Sequence, residues 1–439
     1  MSLTVTAASG REEFELRIPD DAELFVSTYP APAAPAADLV LDAVRAPLGT
    51  APLRAALASR RPGDVVVVVS DLTRPIPYAT FLPALLAEIE SAGVARAEIL
   101  ILVATGMHRP STDAERREMF GPETVGGYRI EDHRAEDDAG LAPIPGRSAS
   151  GATIRLNRRF VKAGFRIVTG LVEPHFMAGF SGGRKGVCPG LSSLDTICNF
   201  HGEPFLADPR ATNAVLVGNP LHEESLSVAR LAGVDFTINV VLEKSRHVVR
   251  TFAGGLEPAH DAACAFVRTC AVRPVRRPAD VLLTSSGGYP LDVTFYQCVK
   301  GFVSGLPAVR QGGTIIAFGG CAEGIGSPEY VGLLKRYAGR WREFLADIRR
   351  PGVFTKDQWE LQMQARALDK VGPRGLHFVT DGLSQDMLDF MTVTGHAVEA
   401  GGVGPKVQSL LDRVLAAGAT LAVFPEGPYC VPFIENLAD

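Results

Sequence analysis

Histidine, lysine and glycine crowd into one short run, Glu173-Pro-His175-Phe-Met-Ala-Gly179-Phe-Ser-Gly182-Gly183-Arg184-Lys185-Gly186. Its glycines would let the backbone approach a ligand closely, and clustered amide N–H groups can cradle a phosphate. Arg184 and Lys185 add positive charge at the same spot. The run is not a P-loop, because that motif needs Gly immediately before its Lys, where this chain has Arg184. No GxGxxG follows a strand, so ordinary NAD binding has little support. Alone, the run reads as a flexible loop with an exposed lysine. Its neighbours make it more.

Downstream, Leu191, Leu194, Ile197 and Cys198 recur at helical spacing, with Ser192 or Ser193 placed to cap the start. Gly202 and Pro204 stop that helix near His201. A neutral imidazole at the partly negative end of a helix suits a bound cation. His108, in ATGMHRP, and His175, in VEPH, each follow an expected strand. With unperturbed pKa values near about 6.5, two such imidazoles can act as paired acid and base. Asp71, Thr73 and Arg74 form a DLTRP turn whose guanidinium can fork onto a carboxylate or phosphate. After Tyr296, Gln297 and Lys300 stand three apart, so a helix puts them on one face as amide and ammonium donors for a carboxylate. Trp359 is one of only two tryptophans. Singly these residues pass as caps, core or solvated side chains; their joint occurrence carries the reading. The other six histidines (133, 222, 247, 260, 377 and 396) read as structural.

The elements that must hold them are β-branched runs alternating with helical patterns. Strands are expected at 64–71, 97–104, 165–171, 280–285, 313–318 and 419–424, with helices such as 79–92 and 329–348 between them. This is the pattern of βαβ units and buried parallel sheets. The N-terminus reads as two short strands around a Ser9-Gly10 turn. The Pro- and Arg-rich stretch at 271–279 suggests a boundary, giving an α/β class with two domains of largely parallel sheet, 1–275 and 276–439. Polar clusters fall at the carboxyl ends of the strands, where open α/β sheets bind ligands, and two such domains enclose a cleft between them. The last helix is expected to pack back across the first domain.

Composition excludes several classes. A length of 439 residues is too long for one ordinary core. A formal charge of -5, with basic residues scattered, gives no case for a nucleic-acid partner. No apolar run approaches a membrane span and the N-terminus lacks a signal peptide, so no membrane association is expected. Seven cysteines without CxxC spacing argue for a reducing compartment, and the expected location is cytoplasmic.

Together the stretches SDLTRP (70–75), ATGMHRP (104–110), EPHFMAGFSGGRKG (173–186), NFHGEP (199–204) and YQCVKG (296–301) resemble the nickel-pincer-nucleotide lactate racemase family, over nearly the whole chain. The resemblance implies a racemase or epimerase of 2-hydroxyacids, an isomerase. Its cofactor would be a pyridinium-3-thioamide-5-thiocarboxylic acid mononucleotide holding nickel, attached covalently to Lys185 and installed by cofactor-synthesis proteins. His201 would ligate the nickel. His108 and His175 would be the alternating acid and base. Asp71, Thr73, Gly182, Gly183, Arg184 and Trp359 would line the cofactor, and Arg74, Tyr296, Gln297 and Lys300 would bind the substrate. The C2–H, too weakly acidic for simple abstraction by histidine, would leave as hydride while one histidine takes the hydroxyl proton. Two other readings stand beside it: a zinc hydrolase using His108, His175 and His201, and a non-catalytic carrier of the same cofactor. The resemblance leaves open which 2-hydroxyacid is the substrate.

Overall fold

Branching at Cβ suits Val and Ile to extended backbone, and runs of them build the strands here. The computed structural model describes residues 2–60, 63–350, 352–416 and 418–434. It opens on an antiparallel hairpin, β1 (Ser2–Ser9) and β2 (Glu12–Pro19), turned at Gly10, followed by the short β3 (Glu23–Leu24). Next come β4 (Val65–Ser70), β5 (Ile99–Ala104), β6 (Arg129–Asp132), β7 (Phe165–Leu171), β8 (Phe236–Leu242) and β9 (Val248–Gly254). These form a sheet in the order β9-β8-β7-β4-β5-β6, parallel except for β9. Val65 to Val69 are all buried, because a parallel sheet is covered on both faces.

The second sheet uses β10 (Ala279–Ser285), β11 (Val309–Phe318), β12 (Leu376–Thr380), β13 (Thr394–Ala397) and β14 (Leu421–Phe424). Its order is β13-β12-β11-β10-β14-β3, all parallel. Five helices position the site or brace the sheets around it: α1 (Leu194–Phe200), α2 (Leu256–Ala271), α3 (Phe295–Ser304), α4 (Gln358–Val371) and α5 (Val403–Leu415). Among the described residues no helix is long and apolar enough to cross a membrane.

Three expectations change. The first 25 residues pack with the second sheet, not the first. β3 pairs with β14, and Val5, Ala7, Leu16 and Ile18 share a core with Val281, Leu283 and Ile316. An edge strand left open invites wrong pairing, and β3 closes this one. Helix α5 lies on the same sheet against β2, β11 and β12 rather than across the first. Its Val403, Val407, Leu410 and Leu411 form one apolar stripe at helical spacing, which covers that face. The pattern at 329–348 is two helices, Pro328–Arg336 and Trp341–Ile348, with Gly339 between them at φ +69°. The 271–279 stretch is held as well, since Val272–Pro274 pairs with Val431–Phe433.

One hydrophobic cluster runs through both sheets, and α4 joins them. Almost wholly buried although rich in Gln, it packs on α3 and β11 and also on the short helix Glu203–Ala207 of the first unit. Its polar side chains are used in that crossing. Gln362 donates to Glu203 O at 3.1 Å, and Arg366 donates to the carbonyls of Leu206, Asp208 and Ala211.

His133, 1% exposed, fastens β6 to the start of α1. Its Nε2–H donates to Ser192 O at 2.9 Å and its Nδ1 accepts from Asn157 at 3.3 Å. Burial lowers its pKa to about 4. A histidine neutral when folded and free to charge when unfolded gives full stability above the unfolded pKa of about 6.5, and loses it as pH falls toward 4. The loss from this one group is on the order of 3 kcal/mol. Urea midpoints are therefore expected to drop steadily from pH 7 to pH 4.5. A midpoint unchanged over that range contradicts a buried neutral His133.

Candidate active site

Ser70 lies opposite Ala104 across β4 and β5, so Asp71 and the 105–108 turn leave the sheet side by side. Asp71 Oδ1 accepts from Thr73 Oγ1 at 2.6 Å, and Oδ2 lies 2.6 Å from His108 Nδ1. Burial works to raise the Asp71 carboxyl, but His108, Thr73 and Arg74 hold it below the usual carboxylate range. An anionic partner fixes the proton of His108 on Nδ1 and leaves Nε2 free to accept another. His108 is half-exposed, at the rim.

His175 is its opposite. The pair Pro174–His175 runs antiparallel to Gly179–Phe180, and the intervening turn aims the amides of Met177 and Ala178 at His175 Nδ1, both at 3.3 Å. An Nδ1 that accepts puts the proton on Nε2. Burial, with Lys185, Arg74, Lys300 and His201 nearby, keeps this imidazole neutral, well below its ordinary pKa.

Lys185 sits in a short 3-10 turn, Gly183–Gly186, with Nζ 5.3 Å from the Phe200 ring centroid. Burial first, then the positive charges of Arg74 and Arg184, push its amine well below the usual range. A deprotonated amine is a nucleophile. His201 caps α1, which starts at Ser193 with Oγ accepting from Thr196 N. Its Nδ1–H donates to Ile197 O at 3.1 Å, leaving Nε2 as a lone-pair donor. Burial and Lys185 lower its pKa to about 3. Trp359 stacks on this ring at 4.6 Å and 24°, and its Nε1–H donates to Tyr296 Oη at 2.7 Å.

From the second unit, α3 brings Tyr296, Gln297 and Lys300. Lys300 Nζ donates to Gln297 Oε1. Burial and Arg74 lower the Lys300 pKa, while Glu360 and Glu173 oppose the shift. Arg74, Glu173, His175, Lys300, Ser304 and Tyr429 line one pocket between the two units.

Sequence reasoning missed Glu173, Glu360 and Tyr429. Glu173 stood inside the run quoted for its histidine, and Glu360 follows Trp359; nothing periodic marks either. Glu360 is 1% exposed, and its Oε1 finds no hydrogen bond among the described residues. Burial raises its pKa.

Arg184, Gly182 and Gly183 are not brought to a ligand. The Arg184 guanidinium turns away from the pocket, donating to Ala178 O at 2.8 Å and Phe180 O at 3.0 Å, and pairing with His260 of α2 at 2.8 Å. Gly183 N already donates to Asn239 Oδ1 at 2.9 Å. Gly182 and Gly183 adopt φ +75° and +48°, and a Cβ on Gly183 would stand 2.7 Å from the His260 ring. Close packing of the loop accounts for both glycines. Gly183→Ala is expected to cost about 2–4 kcal/mol, from left-handed backbone plus overpacking. Chemical denaturation checks it: a loss under about 1 kcal/mol would mean that the loop yields.

Among the described residues no three His, Cys, Asp or Glu side chains gather as a metal cluster, and His108, His175 and His201 do not form a zinc site. A lone imidazole with a free Nε2, beside a neutral amine, instead suits a metal held mostly by donors that the protein does not supply.

An imidazole that accepts and one that donates, near a cationic pocket between two sheets, are the groups that proton transfer at a bound anion would need. Comparison with known proteins narrows this. The lactate racemase N-terminal domain matches residues 9–214, and the lactate racemase C-terminal domain matches 275–427. The chain is 37% identical over 332 residues to lactate racemase of Thermoanaerobacterium thermosaccharolyticum, covering 75% of this chain and 77% of that protein. Lactate racemase of Lactiplantibacillus plantarum is 37% identical over 330 residues, 75% of this chain and 76% of the relative. The solved lactate racemase apoprotein from T. thermosaccharolyticum superposes with a TM-score of 0.86 at 30% identity, covering 98% of this chain and 100% of that one. The chain belongs to the lactate racemase family, a family of isomerases.

Proposed function

We propose that this protein inverts C2 of a 2-hydroxyacid, using a nickel-pincer nucleotide carried on Lys185. The observation that carries the reading is the convergence of Arg74, His175 and Lys300, from both units, on one pocket near a neutral Lys185 and a neutral His201. When bound, the cofactor supplies an electrophilic carbon that accepts hydride, so the weakly acidic C2–H need not be removed as a proton.

The chain's own residues do the rest. Arg74 and Lys300 neutralise the substrate carboxylate, and Gln297, already bonded to Lys300, orients the ammonium. His108 Nε2 takes the hydroxyl proton, and the Asp71 carboxylate stabilises the imidazolium that results. His175, the alternating acid–base group on the other arm of the site, presents Nε2–H to the oxygen and would return a proton to it only from the imidazolium form, going back to the neutral state that burial favours. His201 Nε2 would hold the nickel, with Trp359 stacked on the imidazole to fix its orientation. The closed joint between the units keeps the turned carbonyl bound between the two transfers. A cofactor carrier without catalysis would need neither His108 nor the Asp71 that orients it.

Co-expression with the cofactor-synthesis proteins, followed by intact mass, nickel content and chiral chromatography of 2-hydroxyacids, tests the reading. An added mass with bound nickel and formation of the opposite C2 configuration are expected. Zinc without added mass, or a loaded protein inert to every 2-hydroxyacid, overturns it.

A further inference from the structure

The pocket between the units carries more polar groups than a 2-hydroxyacid with an apolar tail would use. Arg74 and Lys300 serve a carboxylate, and the two histidines serve the reacting hydroxyl. Glu173, Ser304 and Tyr429 remain on the wall. Ser304, the last residue of α3, is 2% exposed, and its Oγ has no hydrogen bond among the described residues. The Glu173 carboxylate and the Tyr429 hydroxyl likewise take part in no hydrogen bond among the described residues. Neither can easily withdraw. Glu173 is pinned through its backbone, its N–H donating to Ser181 Oγ at 3.0 Å and its carbonyl accepting from Ser181 N at 2.9 Å. Burial and the neighbouring Glu173 push the Tyr429 phenol up, so it stays a neutral donor.

A methyl or alkyl tail filling this space would strip water from an acceptor and a phenol, leave the Ser304 hydroxyl as unpaired as it is, and return nothing. Each group left so costs about 1–3 kcal/mol. A second carboxylate, as in malate, would meet Glu173. Hydroxyls on the carbons beyond C2 would satisfy all three, while the C–H faces of the same chain lie on Phe176 and Leu291, which also line the pocket. We infer that the substrate is a polyhydroxylated 2-hydroxyacid, an aldonic acid whose outer hydroxyls bond to Glu173, Ser304 and Tyr429, so that the reaction is an epimerisation at C2. This rests on the 2-hydroxyacid reading and adds to it the identity of the tail.

The test is a panel run on nickel-loaded protein: D-gluconate, D-galactonate, lactate, malate and 2-hydroxyhexanoate, with the C2 epimer of each resolved by chromatography. At least one aldonate is expected to exceed lactate and 2-hydroxyhexanoate by about 100-fold or more in kcat/KM, since a site built to bond hydroxyls rejects analogues that lack them. Glu173→Gln and Ser304→Ala are each expected to narrow that ratio by about tenfold, through KM rather than kcat. Lactate, malate or 2-hydroxyhexanoate turned over as well as both aldonates overturns the inference and leaves the racemase reading standing. A loaded protein that inverts none of the five overturns both.

Discussion

Lys185→Ala protein, produced alongside the cofactor-synthesis proteins, is expected to show no added mass, no nickel above background and no detectable turnover. The cause is chemical rather than steric. Burial and the cations around it push this amine well below its usual range and so favour loss of its proton, and only a deprotonated amine can form an amide-type link near neutral pH. Lys185→Arg sharpens the test, because it restores positive charge while supplying no comparable nucleophile. Both variants are expected to lack the adduct completely. Wild-type mass shift in either would move the attachment to another residue.

The second large effect concerns the Asp71–His108 pair. His108→Ala is expected to keep the adduct and the nickel while kcat falls by about 10²–10⁴-fold, the usual contribution of a positioned acid–base group. Asp71→Asn is the more telling variant. It preserves shape, yet its amide would donate to His108 Nδ1 and force the ring proton onto Nε2, the atom that must accept. A similar loss of about 10²–10⁴-fold in kcat is expected, again with full cofactor content. An Asp71→Asn enzyme within about threefold of wild type would show that the proton goes elsewhere.

Much of this was legible in the sequence where one physical signal dominates. The strands at 64–71 and 165–171 are runs of branched apolar residues, and they form the centre of the first sheet. Ser193 and Gly202 bracket α1 as capping chemistry requires, which places His201 at its end. Gln297 and Lys300 do share a helical face and do touch. What the sequence hid were directions and partners. Arg184 and Lys185 are adjacent, yet one side chain pairs with His260 of α2 and the other lies over the Phe200 ring, and no local pattern decides between them. The glycines beside them signal close approach, but only the fold reveals that the approaching groups are Val172, Asn239 and His260. Glu360 carries no mark of its burial, because its surroundings come from elements far off in the chain. The hairpin packs on the second sheet for the same reason: sequence proximity placed it with the first, and burial against Val281, Leu283 and Ile316, beside the β3–β14 pairing, won.

Helix α4 sets a mechanical condition on the enzyme. Arg366 grips three carbonyls of the 206–211 loop while, two turns earlier, Trp359 lies flat on His201. Swinging the halves wide apart would tear that clasp and bare the ring at once. On the proposed reading a small acid would pass the half-exposed His108 with the clasp shut, whereas a nucleotide-sized group would need it undone. Loading such a group and turning over a substrate would thus make unequal demands on the same helix.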